Sequence, residues 1–544
     1  MSAYNEVDGQ RALEADVLIV GSGPIGAVYA RTIIDADKSI NVLMVDMGEQ
    51  KTRLIGDHKK NSIAVQRGCV HFTSTVQGAL GLLSDAANAA PASLDTVPRF
   101  PDVVSSTGGA DALPHNDLPA APVVREVGGM GSYWSCATPE QHPIIERSEL
   151  FSDEEWSSLY GQARALFHTT DRDFDHSLRH QLVKDTLIRA HKGREVANLP
   201  LACQRSTSNP EYVRWTGPAT ILGELANPTY NGGNFKLKAQ HQCTRLLLDA
   251  ASKRILGAEL TDVLTNEVLL ARAKRYIICA GAILTAGILF NSHIRSETGY
   301  PALGRYLTEQ TMAVCQVALK KSLIQSMWHD QRCREHFRKF PKDPLRIPFN
   351  DPPPEITIPV SENYPWHTQI QCDPFHYNTA PTSIDPRLIL DLRFFGYVMP
   401  VYENYVEFSS EITDLFGMPQ PIIHYRIGNE DAQRAQAMMQ DMLNIASELG
   451  DFIPGGEPKF LAPGAATHIC GTTRAGKEDD GHSVVDKDSK VWRLENLFIG
   501  GCGVIPTQNA CNPTLTAACF AIASARKVVE EIQALKGQQY QSKL

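Results

Sequence analysis

Three glycines near the start of the chain have the spacing at which a backbone can bind phosphate. Gly21, Gly23 and Gly26 form the pattern G-x-G-x-x-G in the segment GSGPIG. The first glycine permits a tight turn, and the second lets the backbone approach a pyrophosphate closely. The third allows a following helix to pack closely on the preceding strand. The chemistry that this spacing predicts is the binding of a dinucleotide.

The segments around these glycines are the elements that such binding requires. A mainly apolar run at 16–20 predicts a buried strand, the helical pattern AVYARTIIDAD follows Gly26, and a second apolar run at 41–45 predicts another strand. The free N–H groups of the helix N-terminus attract phosphate. Asp46 follows the second strand and could accept hydrogen bonds from a ribose diol. FAD and NAD share this pattern. A single copy at the start of a long chain favours FAD and a second domain for the substrate.

A second glycine-rich segment, GGMGSYWSCATP at 128–139, has no evident purpose in a hydrophobic core. Its glycines would let the backbone approach a ligand, and Trp134 could pack against that ligand. Further along, the run RYIICA at 275–280 predicts a buried strand, followed by a turn at Gly281. Alternating segments at 388–394 and 405–408 predict an antiparallel sheet. A final helix is predicted over 514–535.

The composition excludes several classes of protein. The chain has 544 residues, 43% of them hydrophobic and 21% charged, with a net charge of −9. This acidic balance argues against nucleic acid as a partner. No segment has the 18 or so consecutive apolar residues of a membrane span, and no signal peptide is visible. The 12 cysteines form no C-x-x-C pair. We therefore expect reduced thiols, and neither a disulfide framework nor a metal site.

The chain ends in Ser542-Lys543-Leu544. A terminal S-K-L tripeptide is an address that the peroxisomal import receptor recognises. We therefore expect a peroxisomal protein if the source is a eukaryote, and otherwise a cytoplasmic one.

Motifs distributed over most of the chain resemble the glucose–methanol–choline (GMC) oxidoreductases, and among these the pyranose oxidases most closely. They include GSGPIG, GDHKKNSIAVQ at 56–66, VGGMGSYWSCATP at 127–139, YPWHTQI at 364–370, DPFHY at 373–377, SIDPRLILDLRFFG at 383–396, MPQP at 418–421, the pair TH at 467–468 and LFIGGCGVIPT…NPTLTA at 497–517. SYWSCATP and the last block are specific, whereas the glycine pattern alone is not.

The resemblance implies an α/β protein with two domains. A Rossmann-like FAD-binding domain would comprise 12–150, 211–300 and 456–536. A second, α+β domain on a mostly antiparallel sheet would bind the substrate and comprise 151–210 and 301–455. Residues 79–120 would form a loop or an oligomerisation arm, and 537–544 a tail. A homo-oligomer, either a dimer or a tetramer, is expected.

The resemblance also assigns roles to individual residues. His468 matches the histidine that removes the hydroxyl proton from the substrate, and Asn512 matches its partner. The residues that match or are expected to form the FAD site are Gly21, Gly23, Pro24, Ile25, Gly26, Asp46, Gly129, Met130, Tyr133, Trp134, Ser135, Cys136, Ala280, Gly281, Gly501, Asn512 and Thr514. Those matching the sugar site are Gln369, Asp373, Phe375, Tyr377 and Arg393.

Tyr133 occupies the place where pyranose oxidases carry the histidine that is covalently joined to the flavin. Tyrosine is not the expected attachment residue, so the resemblance implies FAD without a covalent bond. We expect Tyr133 to pack against the edge of the flavin ring and Ser135 to donate a hydrogen bond to it.

The activity that the resemblance implies is oxidation of a secondary alcohol of an aldopyranose to a keto sugar, with oxygen reduced to hydrogen peroxide. One alternative is an oxidase or a quinone-dependent dehydrogenase acting on a glycoside or another sugar-derived alcohol or polyol. A binding protein that keeps the fold without catalysis, as the Rab GDP-dissociation inhibitors do, is a third reading. The presence of both His468 and Asn512 argues against it.

Overall fold

The computed structural model describes residues 5–7, 10–67, 75–76, 79–82, 116–295, 299–371 and 384–541. The predicted arm at 79–120 and the Ser542–Leu544 tripeptide therefore lie largely or wholly outside the described residues. The strands are β1 (Asn5–Val7), β2 (Gln10–Val20), β3 (Val42–Val45), β4 (Gly81–Leu82), β5 (Pro122–Val123), β6 (Thr169–Thr170), β7 (Ala197–Asn198), β8 (Leu201–Arg205), β9 (Val213–Trp215), β10 (Phe235–Lys238), β11 (His241–Asp249), β12 (Arg254–Asp262), β13 (Val268–Ile278), β14 (Gln310–Leu319), β15 (Ile356–Ile358), β16 (Trp366–Gln371), β17 (Ile389–Tyr397), β18 (Tyr405–Thr413), β19 (Pro419–His424), β20 (Gly450–Phe452), β21 (Lys459–Phe460) and β22 (Leu497–Ile499).

The α-helices among the described residues alternate with these strands. They are α1 (Pro24–Ala36), α2 (Ile63–Arg67), α3 (Asp153–Phe167), α4 (Leu178–Ala190), α5 (Pro218–Leu222), α6 (Ala282–Asn291), α7 (Lys321–Ser326), α8 (Gln331–Lys339), α9 (Asn429–Leu449) and α10 (Thr514–Gln541).

The first sheet contains the predicted nucleotide-binding unit. Its strand order is β10-β3-β2-β13-β12-β11, with β1 added to β2 and β22 added to β13. The central pairs β3–β2, β2–β13 and β13–β22 are parallel, so their carboxyl ends meet at one edge. The run Val17-Leu18-Ile19 is fully buried, as expected for a strand covered on both faces. This sheet edge positions the glycine turn, Asp46 and Gly281 side by side.

The second sheet is antiparallel in all its pairs, as predicted. Its order is β20-β14-β17-β16-β15-β7, with β21 added to β14. Helix α9 packs on β17 and β14, and its apolar residues, such as Met438 and Ile445, complete a second hydrophobic core. Two sheets with separate cores confirm the predicted pairing of a Rossmann-like domain and an antiparallel one.

One predicted domain segment divides differently in the structure. Helix α3, within the segment 151–210, packs on α10 of the first domain. The reason is an aromatic cluster in which Trp156 lies 5.7 Å from Phe520 and 5.1 Å from Phe151 between ring centroids. Helix α4, later in the same segment, joins the second core through Leu182 and Leu187. Strand β8, at the end of the segment, belongs again to the first core through Leu201 and Cys203. The segment 151–210 is therefore divided between the two cores.

Candidate active site

A cavity of about 330 Å³ runs along the carboxyl edge of the first sheet. The sequence-predicted cofactor residues that line it are Gly21, Gly23, Pro24, Ile25, Asp46, Gly129, Met130, Trp134, Ala280, Gly281, Gly501 and Thr514. Asp46, Met47 and His241 also line this cavity, as do Thr467 and Ile469. His468 stands between those last two in the chain. The structure therefore brings most of the predicted cofactor residues together and extends their cavity to the predicted base.

The glycines of GSGPIG separate into two that serve packing and one that faces the cavity. A Cβ on Gly21 would lie 2.4 Å from the Cys279 carbonyl oxygen, and one on Gly26 would lie 2.1 Å from the Gly21 carbonyl oxygen. Both positions exclude any side chain. A Cβ on Gly23 would meet no protein atom nearer than Gly128 O at 4.0 Å. The space beside Gly23 is therefore open to a ligand, as the pyrophosphate role requires.

Asp46 holds the two glycine-rich segments together as well as lining the cavity. Its Oδ2 accepts from the Ser22 backbone N–H at 2.9 Å and from the Ser22 hydroxyl at 2.6 Å, and Oδ1 accepts from Gly48 N–H at 2.8 Å. The Ser22 hydroxyl in turn accepts from Gly128 N–H at 2.8 Å. Burial raises the pKa of Asp46. Oδ1 accepts one hydrogen bond and keeps a second lone pair, so the ribose role predicted for Asp46 is still open to that oxygen.

Three helices point their N-termini at the cavity. Pro24 begins α1, Ala282 begins α6 and Thr514 begins α10, and all three residues line the cavity. Helix N-termini carry partial positive charge and free N–H groups. The two glycine turns, the acid and these helix ends suit a long, anionic dinucleotide, so the residues present fit FAD.

Residues 133–136 are all predicted to form part of the FAD site, but only Trp134 among them lines the cavity. Trp134 lines the cavity, and its Nε1–H donates to Thr216 O at 2.8 Å. Tyr133, Ser135 and Cys136 are not among the residues that line it. Cys136 is fully buried and directs its thiol to Thr216 O at 3.5 Å. The thiol of Cys136 thus points into the protein, and the flavin contacts of Tyr133 and Ser135 stay predictions.

The side chain of Tyr133 has its own partners within the protein. Its ring is buried in a small cluster with Val76, and its hydroxyl donates to Glu126 Oε2 at 2.6 Å. Glu126 is itself buried, and it forms ion pairs with Lys59 and Lys51. These ion pairs and the tyrosine hydroxyl lower the pKa of Glu126, and the same burial and contact raise the pKa of Tyr133. The hydroxyl of Tyr133 is therefore held by this carboxylate, and the packing of its ring on the flavin edge stays a prediction.

The predicted base, His468, is held at three points. Its Nδ1 lies 2.6 Å from Gln310 Oε1, and its Nε2 lies 3.0 Å from Asn512 Nδ2. Its backbone N–H lies 3.2 Å from both carboxylate oxygens of Glu309. Thr467, just before it, adopts a left-handed φ of 62°, which turns the chain so that the imidazole can reach Asn512. The predicted pair of His468 and Asn512 is therefore in direct contact.

Asn512 joins this histidine to the predicted substrate residues. Gln369 Nε2 donates to Asn512 Oδ1 at 2.6 Å and lies 3.1 Å from His367 Nε2. Gln371 Nε2 donates to Gln369 Oε1 at 3.2 Å. Asn512 ends the turn before α10, and Gln369 lies on β16, so the contact also joins the two domains.

One face of the second sheet supplies the wall beside this pair. His367, Gln369 and Gln371 alternate along β16 and therefore point to the same face. Arg393 is buried and lies directly across from Gln369 on β17, and Phe395 places its ring 5.6 Å from His468. The structure thus brings two of the predicted substrate residues, Gln369 and Arg393, to the site. Asp373, Phe375 and Tyr377 lie outside the described residues.

Burial sets the charge state of the site. It lowers the pKa of His468 to about 3, with a smaller contribution from His367, and it lowers the pKa of His367 to about 3. It also raises the pKa of Glu309 to about 7. Both imidazoles are therefore neutral near pH 7, and a neutral imidazole has a lone pair that can take a proton.

Sequence reasoning missed Glu309 and Gln310 and assigned no role to His367. The signal for the first two is a polar pair directly before the apolar strand TMAVC in RYLTEQTMAVC, where both side chains are buried. No group of three or more His, Cys, Asp or Glu among the described residues is placed to hold a metal ion. No helix within those residues is long and apolar enough to cross a membrane.

Comparisons with known proteins agree with this geometry. The sequence is 40% identical to a pyranose 2-oxidase of Emericella nidulans over 95% of this chain and 92% of that protein. It is 37% identical to the pyranose 2-oxidase of Lyophyllum shimeji over 95% and 92%. It is also 30% identical to a C-glycoside 3-oxidase of Microbacterium trichothecenolyticum over 96% and 98%.

Solved structures share the fold at much lower sequence identity. A formate oxidase of Aspergillus oryzae superposes with a TM-score of 0.65 and 14% identity, over 96% of this chain and 99% of that one. Pyridoxine 4-oxidase from Mesorbium loti gives 0.64 and 16%, over 94% and 99%. Family models described as GMC oxidoreductase match residues 221–312 and 400–521. With a relative 40% identical over nearly the whole length, the chain belongs to the GMC oxidoreductase family.

Proposed function

We propose that this protein is a pyranose 2-oxidase-like enzyme that oxidises the second carbon of an aldopyranose to a keto group. The observation that carries the proposal is the contact of His468 Nε2 with Asn512 Nδ2 at 3.0 Å, beside the cavity that fits FAD. The relatives named pyranose 2-oxidase, which match over nearly the whole chain, support the sugar as substrate.

The residues of the site have separate roles in the oxidation of an alcohol. His468 Nε2 accepts the hydroxyl proton, because the imidazole is neutral. Asn512 and Gln369 orient the ring hydroxyls, and the buried wall around Arg393 and Phe395 excludes water. When bound, FAD supplies the hydride acceptor, and its reoxidation by oxygen gives hydrogen peroxide. The protein's own contribution is therefore positioning and proton removal.

The experiment is anaerobic bleaching of the flavin absorbance by a panel of sugars, followed by identification of the keto product and by assay of peroxide in air. Bleaching by an aldopyranose, a 2-keto product and one peroxide per turnover are the expected results. Absence of bleaching with every aldopyranose would contradict the proposal. Faster reoxidation by benzoquinone than by oxygen would identify a dehydrogenase instead.

A second substrate class has support of its own. C-glycoside 3-oxidases match over 95% or more of this chain at 29–30% identity. A 3-keto product, or bleaching by a glycoside and not by free sugars, would favour this reading.

We propose further that FAD is bound without a covalent bond. The support is that Tyr133, the residue at the place of the linking histidine, has its hydroxyl engaged by Glu126 at 2.6 Å. Acid precipitation should release all the flavin into the supernatant, and yellow colour that stays with the pellet would refute the proposal. A homo-oligomer and peroxisomal import through Ser542–Leu544 stay predictions, which light scattering and a fluorescent fusion lacking the tripeptide would test.

A further inference from the structure

The side-chain amide of Gln310 lies between the His468 imidazole and the backbone that leads to Asn512. Gln310 is buried at the start of β14, only 4% exposed. Its Nε2 lies 2.8 Å from Asn509 O and 2.9 Å from Cys511 O. Its Oε1 lies 2.6 Å from His468 Nδ1. Both polar atoms of this amide therefore have partners. The nitrogen faces two backbone carbonyl oxygens, and the oxygen faces the imidazole.

These partners permit only one orientation of the amide. Backbone carbonyl oxygens accept hydrogen bonds and cannot donate them. Asn509 O and Cys511 O therefore require the NH₂ group of Gln310, and a flipped amide would place its oxygen against both. The Oε1 of Gln310 consequently faces His468, where it can only accept.

The imidazole must then carry its proton on Nδ1. A neutral imidazole has one donor and one acceptor nitrogen, so Nε2 keeps its lone pair. The amide orientations on the other side are consistent with this tautomer. Asn512 Oδ1 accepts from Gln369 Nε2 at 2.6 Å, so Asn512 turns its NH₂ group toward His468 Nε2. The network assigns the same tautomer from both ends.

We propose that Gln310 is a positioning residue that holds His468 in the Nδ1–H tautomer, so that the Nε2 lone pair, which accepts from Asn512 in this structure, is available to take the substrate proton. This inference rests on the proposed function insofar as His468 takes the substrate proton. Glu309 assists from the preceding position, because its carboxylate accepts the backbone N–H of His468. Glu309 thus holds the backbone of His468, and Gln310, the first residue of β14, holds its imidazole.

Replacing Gln310 by methionine tests the proposal, because methionine has a similar length but no hydrogen-bonding amide. In Gln310→Met the imidazole loses its acceptor at Nδ1, and the tautomer protonated on Nε2 becomes accessible. That tautomer cannot take a proton at Nε2. We expect flavin reduction by the substrate to slow by ~10- to ~100-fold, less than the ~10²- to 10⁴-fold contribution of a general base, because the base itself remains and only its tautomer shifts.

Gln316→Met is the matched control. Gln316 is another buried glutamine on β14, 3% exposed, and its Nε2 donates to Asp391 at 2.6 Å. It has no contact with His468 among those the structure gives. The control removes a buried amide from the same strand and should reproduce any general loss of stability without changing the imidazole.

The primary measurement is the ¹⁵N and ¹H NMR spectrum of the oxidised holoenzyme labelled in histidine, with His468 assigned by comparison with His468→Gln. We expect wild type and Gln316→Met to show a protonated Nδ1 and an unprotonated Nε2, and Gln310→Met to show a shift toward the other tautomer. A protonated Nε2 in the wild type, or an unchanged tautomer in Gln310→Met, would overturn the proposal.

The NMR result separates this inference from the proposed function, because it needs no substrate. If the tautomers are as expected but no sugar bleaches the flavin, the positioning role stands and the substrate is wrong. If sugars bleach the flavin, and the flavin of Gln310→Met is reduced by sugar as fast as that of Gln316→Met, the positioning role is refuted.

Discussion

The contrast between Gly23 and Gly26 leads to a sharp prediction about the cofactor site. Gly23 has a φ of −62° and a ψ of 179°, which alanine adopts without strain, and its Cβ would have no protein atom within ordinary contact distance. Gly23→Ala should therefore leave the stability of the apoprotein unchanged. If the pyrophosphate lies over this residue, the added methyl group crowds it. Crowding of this kind costs about 1–3 kcal/mol, which weakens FAD binding by roughly 5- to 150-fold.

Gly26→Ala should behave differently. Its Cβ would lie 2.1 Å from Gly21 O, so the glycine turn and α1 must separate by about 1 Å before the atoms fit. We expect a lower melting temperature of the apoprotein as well as weaker FAD binding. Gly161→Ala is the control, because Gly161 lies on the exposed side of α3 and its Cβ would meet nothing within 4 Å.

The assay is a titration of each apoprotein with FAD, monitored by quenching of flavin fluorescence, together with the melting temperature of each apoprotein. The predicted pattern is weak binding with normal stability for Gly23→Ala, weak binding with low stability for Gly26→Ala, and no loss of either for Gly161→Ala. Wild-type FAD affinity in Gly23→Ala would refute the placement of the pyrophosphate. A destabilised Gly23→Ala apoprotein would refute the claim that the space beside Gly23 is open.

Three further predictions concern buried polar groups. Tyr133→Phe removes the 2.6 Å hydrogen bond to Glu126 and should lower the free energy of unfolding by about 2 kcal/mol without changing the flavin content; loss of flavin would contradict the placement of the ring. Burial lowers the pKa of His367 from its ordinary value of 6.5 to about 3, so the stabilising effect of the neutral imidazole is complete above pH 6.5 and is lost as the pH falls toward 3. Between pH 3 and 6.5, the free energy of unfolding, measured with denaturant, should therefore fall less steeply with decreasing pH in His367→Gln than in the wild type, by about 1.4 kcal/mol per pH unit. An equal slope in the two proteins would refute this. Arg387→Met removes the 2.7 Å ion-pair partner of buried Asp343, so the free energy of unfolding at pH 7 should fall by about 3–5 kcal/mol while the rate of flavin reduction stays the same. A free energy of unfolding within about 1 kcal/mol of the wild type would show that His336 alone can stabilise the Asp343 carboxylate.

The features that sequence reasoning predicted well depend on neighbours in the chain. The roles of Gly21 and Gly26 follow from local sterics, and the observed Cβ distances of 2.4 Å and 2.1 Å are the physical reason for the pattern. Of the two segments predicted to form an antiparallel sheet, 388–394 lies almost entirely in β17 of the second sheet, whereas 405–408 lies in β18, which pairs with β19 in a separate two-stranded antiparallel sheet. The final helix was predicted to begin at Thr514, and it does so.

The features that were missed depend on contacts between distant segments. Gln310 meets His468 across 158 positions, and no local pattern distinguishes a buried glutamine that binds an imidazole from one that binds a carboxylate, as Gln316 does. The hydrogen bond of Tyr133 to Glu126 was missed for a similar reason. Its place in the motif predicts the position of the backbone, but the charged group that attracts the hydroxyl, Glu126, determines where the ring lies.

The decisive experiment for the chemistry of the site is anaerobic stopped-flow mixing of an aldopyranose with the wild type and with His468→Ala. We expect His468→Ala to retain its FAD, because the residues that line the cofactor cavity are unchanged, and its flavin to be reduced ~100-fold or more slowly than that of the wild type. Equal reduction rates in the two proteins would contradict the assignment of His468 as the base and with it the proposed chemistry of the site.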